Sequence, residues 1–69
     1  MAIDLTALKK EIQRANMTYS DMAKKLGITR SAFSKKMTGV NAFKASQTSA
    51  IKKMLNLPGE KAEQIFFTQ

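Results

Sequence analysis

Residues 18–39 read TYSDMAKKLGITRSAFSKKMTG. Ala23 falls on the inward face of a first helix, where a small side chain lets a second helix approach closely. Four residues later, Gly27 supplies the positive φ that a sharp turn between two helices needs. Phe33 returns the second helix to the core. An alanine, a glycine at +4 and an apolar residue at +10 predict a helix-turn-helix over residues 18–38.

The second helix of this motif directs polar side chains outward. They are Arg30, Ser31, Ser34 and Lys35. Long donors and small hydroxyls suit the hydrogen-bonding edges of DNA bases. A cation in the first turn of a helix opposes the helix dipole, so Arg30 indicates a functional reason for its position. The alternative for all four is a solvated helix face that tolerates any polar residue.

Helical spacing continues upstream of the motif. Apolar residues three and four apart predict one stripe of a first helix, with Asp4 as its N-cap and Asn16 as its stop. The stripe consists of Leu5, Leu8, Ile12 and Ala15. Within the motif itself, Thr18 and Thr29 are good N-caps for the second and third helices.

Two further helices are predicted downstream, after a short loop at residues 40–42. Ser46 or a neighbour caps the fourth helix, and Pro58 suits the first turn of the fifth. The inward residues of these helices are Ala50, Ile51, Met54, Leu55, Ala62, Ile65 and Phe66. The glycines and the proline all fall at helix boundaries, and no strand-like alternation competes. The sequence therefore predicts an all-α fold of five short helices in one domain, residues 1–69.

Positive charge is concentrated in one segment of the chain. The net charge is +7, and residues 22–59 contain no acidic residue. The basic residues of this segment, which we call the basic block, are Lys24, Lys25, Arg30, Lys35, Lys36, Lys44, Lys52 and Lys53. Such a block attracts a polyanion, most simply nucleic acid. A lysine-rich face that only keeps the protein soluble is the alternative, and composition does not separate the two.

Several function classes are disfavoured by composition. The chain has no cysteine, no histidine and five carboxylates, so we expect neither catalysis nor a metal site nor another cofactor. Apolar runs fall far short of the roughly 18 residues that cross a bilayer. A membrane-surface role would need an apolar face left over for lipid, whereas each stripe is needed for the core. We expect a cytoplasmic protein, associated with the nucleoid of a bacterial host, with no small-molecule ligand.

The segment MAKKLGITRSAF, residues 22–33, is similar to the pattern L-A-x-x-L-G-x-S-x-x-x-[IVF] of the phage Cro/CI (Xre) family of helix-turn-helix proteins. With the flanking helices, the resemblance covers nearly the whole chain. It implies a five-helix, lambda-repressor-like domain whose third helix, about residues 30–37, enters the major groove of DNA. The residues that it places at base-reading positions are Arg30, Ser31, Ser34 and Lys35.

Other residues are candidates for phosphate contacts. The family usually has a glutamine where Tyr19 stands, and a tyrosine hydroxyl also donates to phosphate. The family grips the DNA backbone with the loop before the fourth helix. Lys36 replaces an apolar core residue of many members, which moves the predicted core contact to Met37. The full set of phosphate candidates is Thr18, Tyr19, Lys24, Lys36, Asn41, Lys44 and Ser46.

Phe67 is a candidate dimer contact. It lies about 100° around the fifth helix from Phe66, outside the core stripe, and a dimer reads two half-sites about 34 Å apart. Alternatively, Phe67 folds back over the first helix.

The sequence thus predicts a sequence-specific regulator of transcription that binds double-stranded operator DNA, most simply a Cro-like phage or prophage repressor. The alternative is an adaptor or antirepressor that uses the same fold to bind another protein. In that case the fifth helix and Phe67 would matter more than Arg30.

Overall fold

Five α-helices occupy most of residues 3–66, the part of the chain that this computed structural model describes. Their bounds are α1 (Leu5–Arg14), α2 (Tyr19–Leu26), α3 (Arg30–Met37), α4 (Ala45–Met54) and α5 (Gly59–Phe66). No strand occurs within residues 3–66. The prediction of an all-α fold with five helices is therefore confirmed.

The first three helices begin at the predicted N-caps. The Asp4 side chain accepts a hydrogen bond from the backbone N–H of Ala7 at 3.0 Å, and Thr29 Oγ1 accepts one from Ala32 at 3.0 Å. Thr18 caps α2 in the same way. Each cap satisfies a backbone donor that the first helical turn leaves unpaired. Local hydrogen bonds therefore mark where each of these helices begins.

Four helices are followed, within one or two residues, by a residue in the left-handed conformation. These residues are Asn16, Gly27, Gly39 and Asn56. After α2, the N–H of Ile28 donates to the carbonyl of Ala23 at 3.0 Å, and the N–H of Gly27 donates to Lys24 at 3.2 Å. This paired arrangement satisfies two carbonyls that the helix end leaves without partners. It also turns the chain sharply, so that only three residues separate the end of α2 from the start of α3.

We predict that Gly27→Ala lowers the free energy of unfolding by about 1–2 kcal/mol, because an L-residue is strained at a φ of +72°. Steric overlap does not contribute to this loss, because a Cβ at Gly27 would meet no atom within 4 Å. Gly59→Ala is the matched control, because that glycine is equally open and does not have a left-handed φ. Urea denaturation of both variants checks the prediction. Equal stabilities would show that the turn does not depend on glycine.

The starts of α4 and α5 differ from the prediction by one or two residues. Ser46 does not cap α4; it lies inside the first turn, and Lys44 holds the cap position. The backbone N–H of Lys44 donates to Gln47 Oε1 at 2.9 Å, which takes over the capping role. Pro58 precedes α5 instead of lying in its first turn, and its carbonyl accepts the N–H of Ala62 at 2.8 Å.

The buried core draws on all five helices. Its members are Leu8, Ile12, Met22, Ala23, Phe33, Met37, Ile51, Ala62, Ile65 and Phe66. Burial of Met37 and of the three predicted α5 residues confirms those predictions. Ala15 was expected inside but is exposed, because α1 ends at Arg14 and the chain turns at Asn16. Leu5, from the same stripe, is only half-buried.

A buried charge joins α1 to α5. Glu11 is 9% exposed, and its carboxylate lies 3.1 Å from the Nζ of Lys61 and 3.8 Å from Arg14. At the start of α1, a backbone hydrogen bond of 2.7 Å runs from the N–H of Asp4 to the carbonyl of Ile65 in α5. A buried carboxylate needs such partners to offset its desolvation. These contacts hold α5 against α1.

Candidate nucleic-acid interface

Three aromatic rings hold together the segments that carry the candidate DNA contacts. The ring of Phe33, on α3, meets Tyr19 of α2 edge-on at 5.2 Å between centroids and Phe43 of the α3–α4 loop at 5.8 Å. We call Tyr19, Phe33 and Phe43 the aromatic triad. Phe33 is fully buried between the other two. Such edge-to-face contacts add to the stabilisation that burial provides. The triad therefore fixes the first turn of α2 and the loop before α4 around α3.

The outer face of α3 carries the candidate base-reading residues. Because Phe33 and Met37 point into the core, the opposite face of the helix is left to solvent. Ser31 and Lys35 are exposed there, Ser34 is half-buried, and Arg30 is exposed because it is the first residue of the helix. Within residues 3–66, no hydrogen bond or ion pair engages the Arg30 guanidinium. A base-reading role therefore requires no internal bond to be broken at Arg30.

The start of α2 is tightly capped. Thr18 Oγ1 accepts the N–H of Asp21 at 3.1 Å, and Asp21 Oδ2 accepts the N–H of Thr18 at 2.9 Å. This reciprocal pair leaves the N–H groups of Tyr19 and Ser20 as the helix donors still available to an anion. Thr18 itself is exposed, whereas the ring of Tyr19 is half-buried in the aromatic triad.

Asp21 makes the stability of α2 depend on pH. Hydrogen bonds with Thr18, first from its backbone and then from its side chain, lower the pKa of the Asp21 carboxyl below its ordinary value of 3.8. The charges of Lys24 and Lys25 lower this pKa further. A lowered pKa in the folded state means that the carboxylate stabilises the fold above pH 3.8. This contribution is lost as the pH falls through the lower, folded-state pKa.

We predict that Asp21→Asn is less stable than the wild type at pH 7 and that the difference shrinks as the pH falls below 4. Urea midpoints measured at intervals between pH 7 and pH 2 check this. Glu63→Gln is the control, because Glu63 is exposed and takes no part in a cap. A difference between wild type and Asp21→Asn that stays constant with pH would contradict the prediction.

The loop after α3 is fastened to the C-terminal end of that helix. Lys36 Nζ donates to the carbonyl of Ala42 at 2.9 Å and lies 5.9 Å from the ring centroid of Phe43. The N–H groups of Val40 and Asn41 both donate to the carbonyl of Lys35, at 3.0 and 3.3 Å. These two hydrogen bonds hold Asn41 close to the C-terminal end of α3, and the side chains of Asn41 and Lys35 are both exposed.

Lys35 and Lys36 have different surroundings. Lys35 is exposed on the outer face of α3, while Lys36 is half-buried with its ammonium bound to the loop. The remaining phosphate candidates, Lys24, Lys44 and Ser46, are exposed. The exposed members of the basic block are Lys24, Lys25, Arg30, Lys35, Lys44 and Lys53. Glu11 forms ion pairs with Arg14 and Lys61, and both of these basic residues lie outside the basic block.

Phe43 had no predicted role, although it joins the triad and supports Lys36. The signal in the sequence is that Phe43 is the one aromatic residue between α3 and α4. Phe67, the candidate dimer contact, lies outside the described residues. Residues 3–66 contain no group of three or more acidic, cysteine or histidine side chains positioned to hold a metal ion.

None of the helices described is long and apolar enough to cross a membrane. The chain matches no protein-family model, no curated protein and no solved structure.

Proposed function

We propose that this protein is a sequence-specific regulator of transcription that binds double-stranded DNA, of the Cro-like phage or prophage repressor type. In this proposal α2 and α3 form a helix-turn-helix, and α3 enters the major groove. The observation that carries it is the outer face of α3. Arg30, Ser31 and Lys35 are exposed on a helix whose inner face is buried, within a segment of 38 residues (22–59) that has no acidic residue.

Affinity in this proposal comes from the basic block. Exposed lysines on α2 and at the start of α4 neutralise phosphates and release counterions, which gives affinity without sequence information. The exposed candidates for phosphate contacts are Thr18, Lys24, Asn41, Lys44 and Ser46, and Lys24 and Lys44 supply the positive charge. The aromatic triad supports the arrangement, since it ties α2 and the α3–α4 loop to the two sides of Phe33.

Specificity comes from α3. A guanidinium has the fork geometry that donates two hydrogen bonds to O6 and N7 of a guanine. Arg30, in the first turn of α3, supplies this group, and the hydroxyl of Ser31 and the ammonium of Lys35 extend the reading surface. Repression follows when the bound protein covers a promoter and blocks the polymerase. A dimer formed through Phe67 would read two half-sites.

A salt series tests the DNA-binding proposal. Fluorescence anisotropy is used to titrate a labelled 20-base-pair duplex with the protein at several salt concentrations. If three or more phosphates are neutralised, the logarithm of the association constant falls with log[salt] with a slope of about −2.7 or steeper. The double variant Lys24→Ala, Lys44→Ala should make that slope shallower by about 1–2. Absence of binding at low salt would refute the proposal and favour a protein partner.

A further inference from the structure

A groove lies between the chain that leads into α1, the α3–α4 loop and one face of α4. Its volume is about 510 Å³, within the range of roughly 300–1,000 Å³ that is typical of small-molecule sites. We call it the α4 groove. Its apolar walls are Ile3, Leu5, Phe43 and Phe66. The DNA-binding proposal uses none of these four side chains to contact DNA.

Two lysines give the α4 groove its charge. Lys36 Nζ lies 5.9 Å from the ring centroid of Phe43, and Lys52 Nζ lies 5.5 Å from that of Phe66. Cations held over aromatic faces are kept beside the apolar walls instead of extending into water. None of the described residues that line the groove is acidic. An apolar cleft with two cations at its aromatic walls is complementary to a molecule with an apolar body and a negative head.

We propose that the α4 groove binds a small amphiphilic monoanion, an aryl or alkyl carboxylate. The carboxylate pairs with the ammonium groups of Lys36 and Lys52, and the apolar body covers Leu5, Phe43 and Phe66. Both parts are needed, because an exposed ion pair contributes little by itself and the apolar body supplies most of the binding. A second copy of the chain is a poorer occupant, since a chain of net charge +7 would bring positive charge to the two lysines.

The test is a titration of the free protein, followed by the backbone amide signals in ¹H–¹⁵N NMR spectra. The probe is 2-naphthoate, and 2-naphthylmethylammonium is the control with the same ring and the opposite charge. We expect saturable shifts at the groove residues Ala42, Thr48 and Ser49 with naphthoate, and clearly weaker binding of the ammonium. Equal binding of the two probes, or shifts spread over all five helices, would overturn the proposal.

Two variants sharpen the test. Lys52→Gln should weaken naphthoate binding about two- to fivefold, the size of one exposed ion pair. Lys53→Gln is the matched control, because Lys53 is exposed on the same helix and does not line the groove. An equal loss in both variants would show that naphthoate responds only to net charge. The dispersion of the amide signals shows whether each variant is folded.

A dilution series tests whether a second copy of the chain occupies the α4 groove. If amide signals of the groove change with protein concentration before any probe is added, a second copy occupies the groove and the proposal fails. Because no DNA is present in these titrations, their outcome is independent of the proposed DNA binding.

Discussion

Replacing Phe33 with alanine is expected to lower the free energy of unfolding by about 3–5 kcal/mol, the usual cost of emptying a buried aromatic site. Phe33 is fully buried, and its ring contacts both Tyr19 and Phe43. The variant therefore leaves a cavity and also removes both edge-to-face contacts. Small domains have a total stability of about 5–15 kcal/mol. We therefore expect Phe33→Ala to lose a large share of its stability and to unfold at a clearly lower urea concentration than the wild type.

Urea denaturation followed by circular dichroism at 222 nm measures this effect. Val40→Ala is the control, because Val40 is 70% exposed and its truncation should change stability by at most about 0.5 kcal/mol. A loss below about 1 kcal/mol in Phe33→Ala would mean that the site can collapse around alanine. The triad would then not hold α2 and the loop in place.

Replacing Arg30 with alanine is expected to weaken binding to the preferred DNA site by about 1–3 kcal/mol, a loss of roughly 5- to 150-fold. The side chain is exposed and makes no internal hydrogen bond or ion pair within residues 3–66, so the fold should be unaffected. Binding to scrambled DNA should change much less. Anisotropy titrations with both duplexes, at one salt concentration, measure the two losses.

Arg30→Lys separates base reading from simple charge. Lysine keeps the positive charge but lacks the fork that donates two parallel hydrogen bonds. If Arg30 reads a base, the lysine variant should lose a large part of the specificity and keep most of the affinity for scrambled DNA. If Arg30→Ala instead loses affinity equally on both duplexes, Arg30 contacts a phosphate. Lys53→Ala, on α4, is the control for a loss of one exposed charge.

The helix boundaries that the sequence predicted correctly depend on local chemistry. Asp4, Thr18 and Thr29 each accept a hydrogen bond from a residue three positions later, so the bonded partners lie within a few residues. Gly27 ends α2 because its own backbone adopts a left-handed φ. The cap of α4 was predicted as Ser46 or a neighbour; Ser46 has a helical position, Lys44 holds the cap position, and the side chain of Gln47 supplies the capping bond from within the helix.

Contacts between distant segments were not predictable in this way. Glu11 and Lys61 are fifty positions apart, and only the packing of α5 against α1 brings them together. Phe43 meets Phe33 because the loop folds back along α3, which the spacing of apolar residues does not encode. Ala15 was misplaced because periodicity shows which face a residue would occupy and not where the helix ends.

The residues of the candidate site also divide into those whose exposure the sequence predicts and those whose surroundings depend on tertiary structure. Exposure of Ser31 and Lys35 follows from the helical period once Phe33 and Met37 are placed inside. Arg30 lies three residues before Phe33 on the same side of the helix, and it is exposed because it is the first residue of α3. The half-burial of Ser34 and the bond of Lys36 to Ala42 depend on tertiary structure. The sequence places Lys35 among the base-reading candidates and Lys36 among the phosphate candidates, and the fold gives them different surroundings: the side chain of Lys35 is exposed, whereas Lys36 is bound to the loop.

The central claim is that α3 reads a DNA sequence, and the ratio of two dissociation constants tests it most directly. A duplex is first selected from a random pool by repeated rounds of binding to the protein. Its Kd is then compared with that of a scrambled duplex of the same composition at physiological salt. We expect the selected duplex to bind about 10³-fold more tightly or better. Equal Kd values for the two duplexes would contradict sequence-specific recognition.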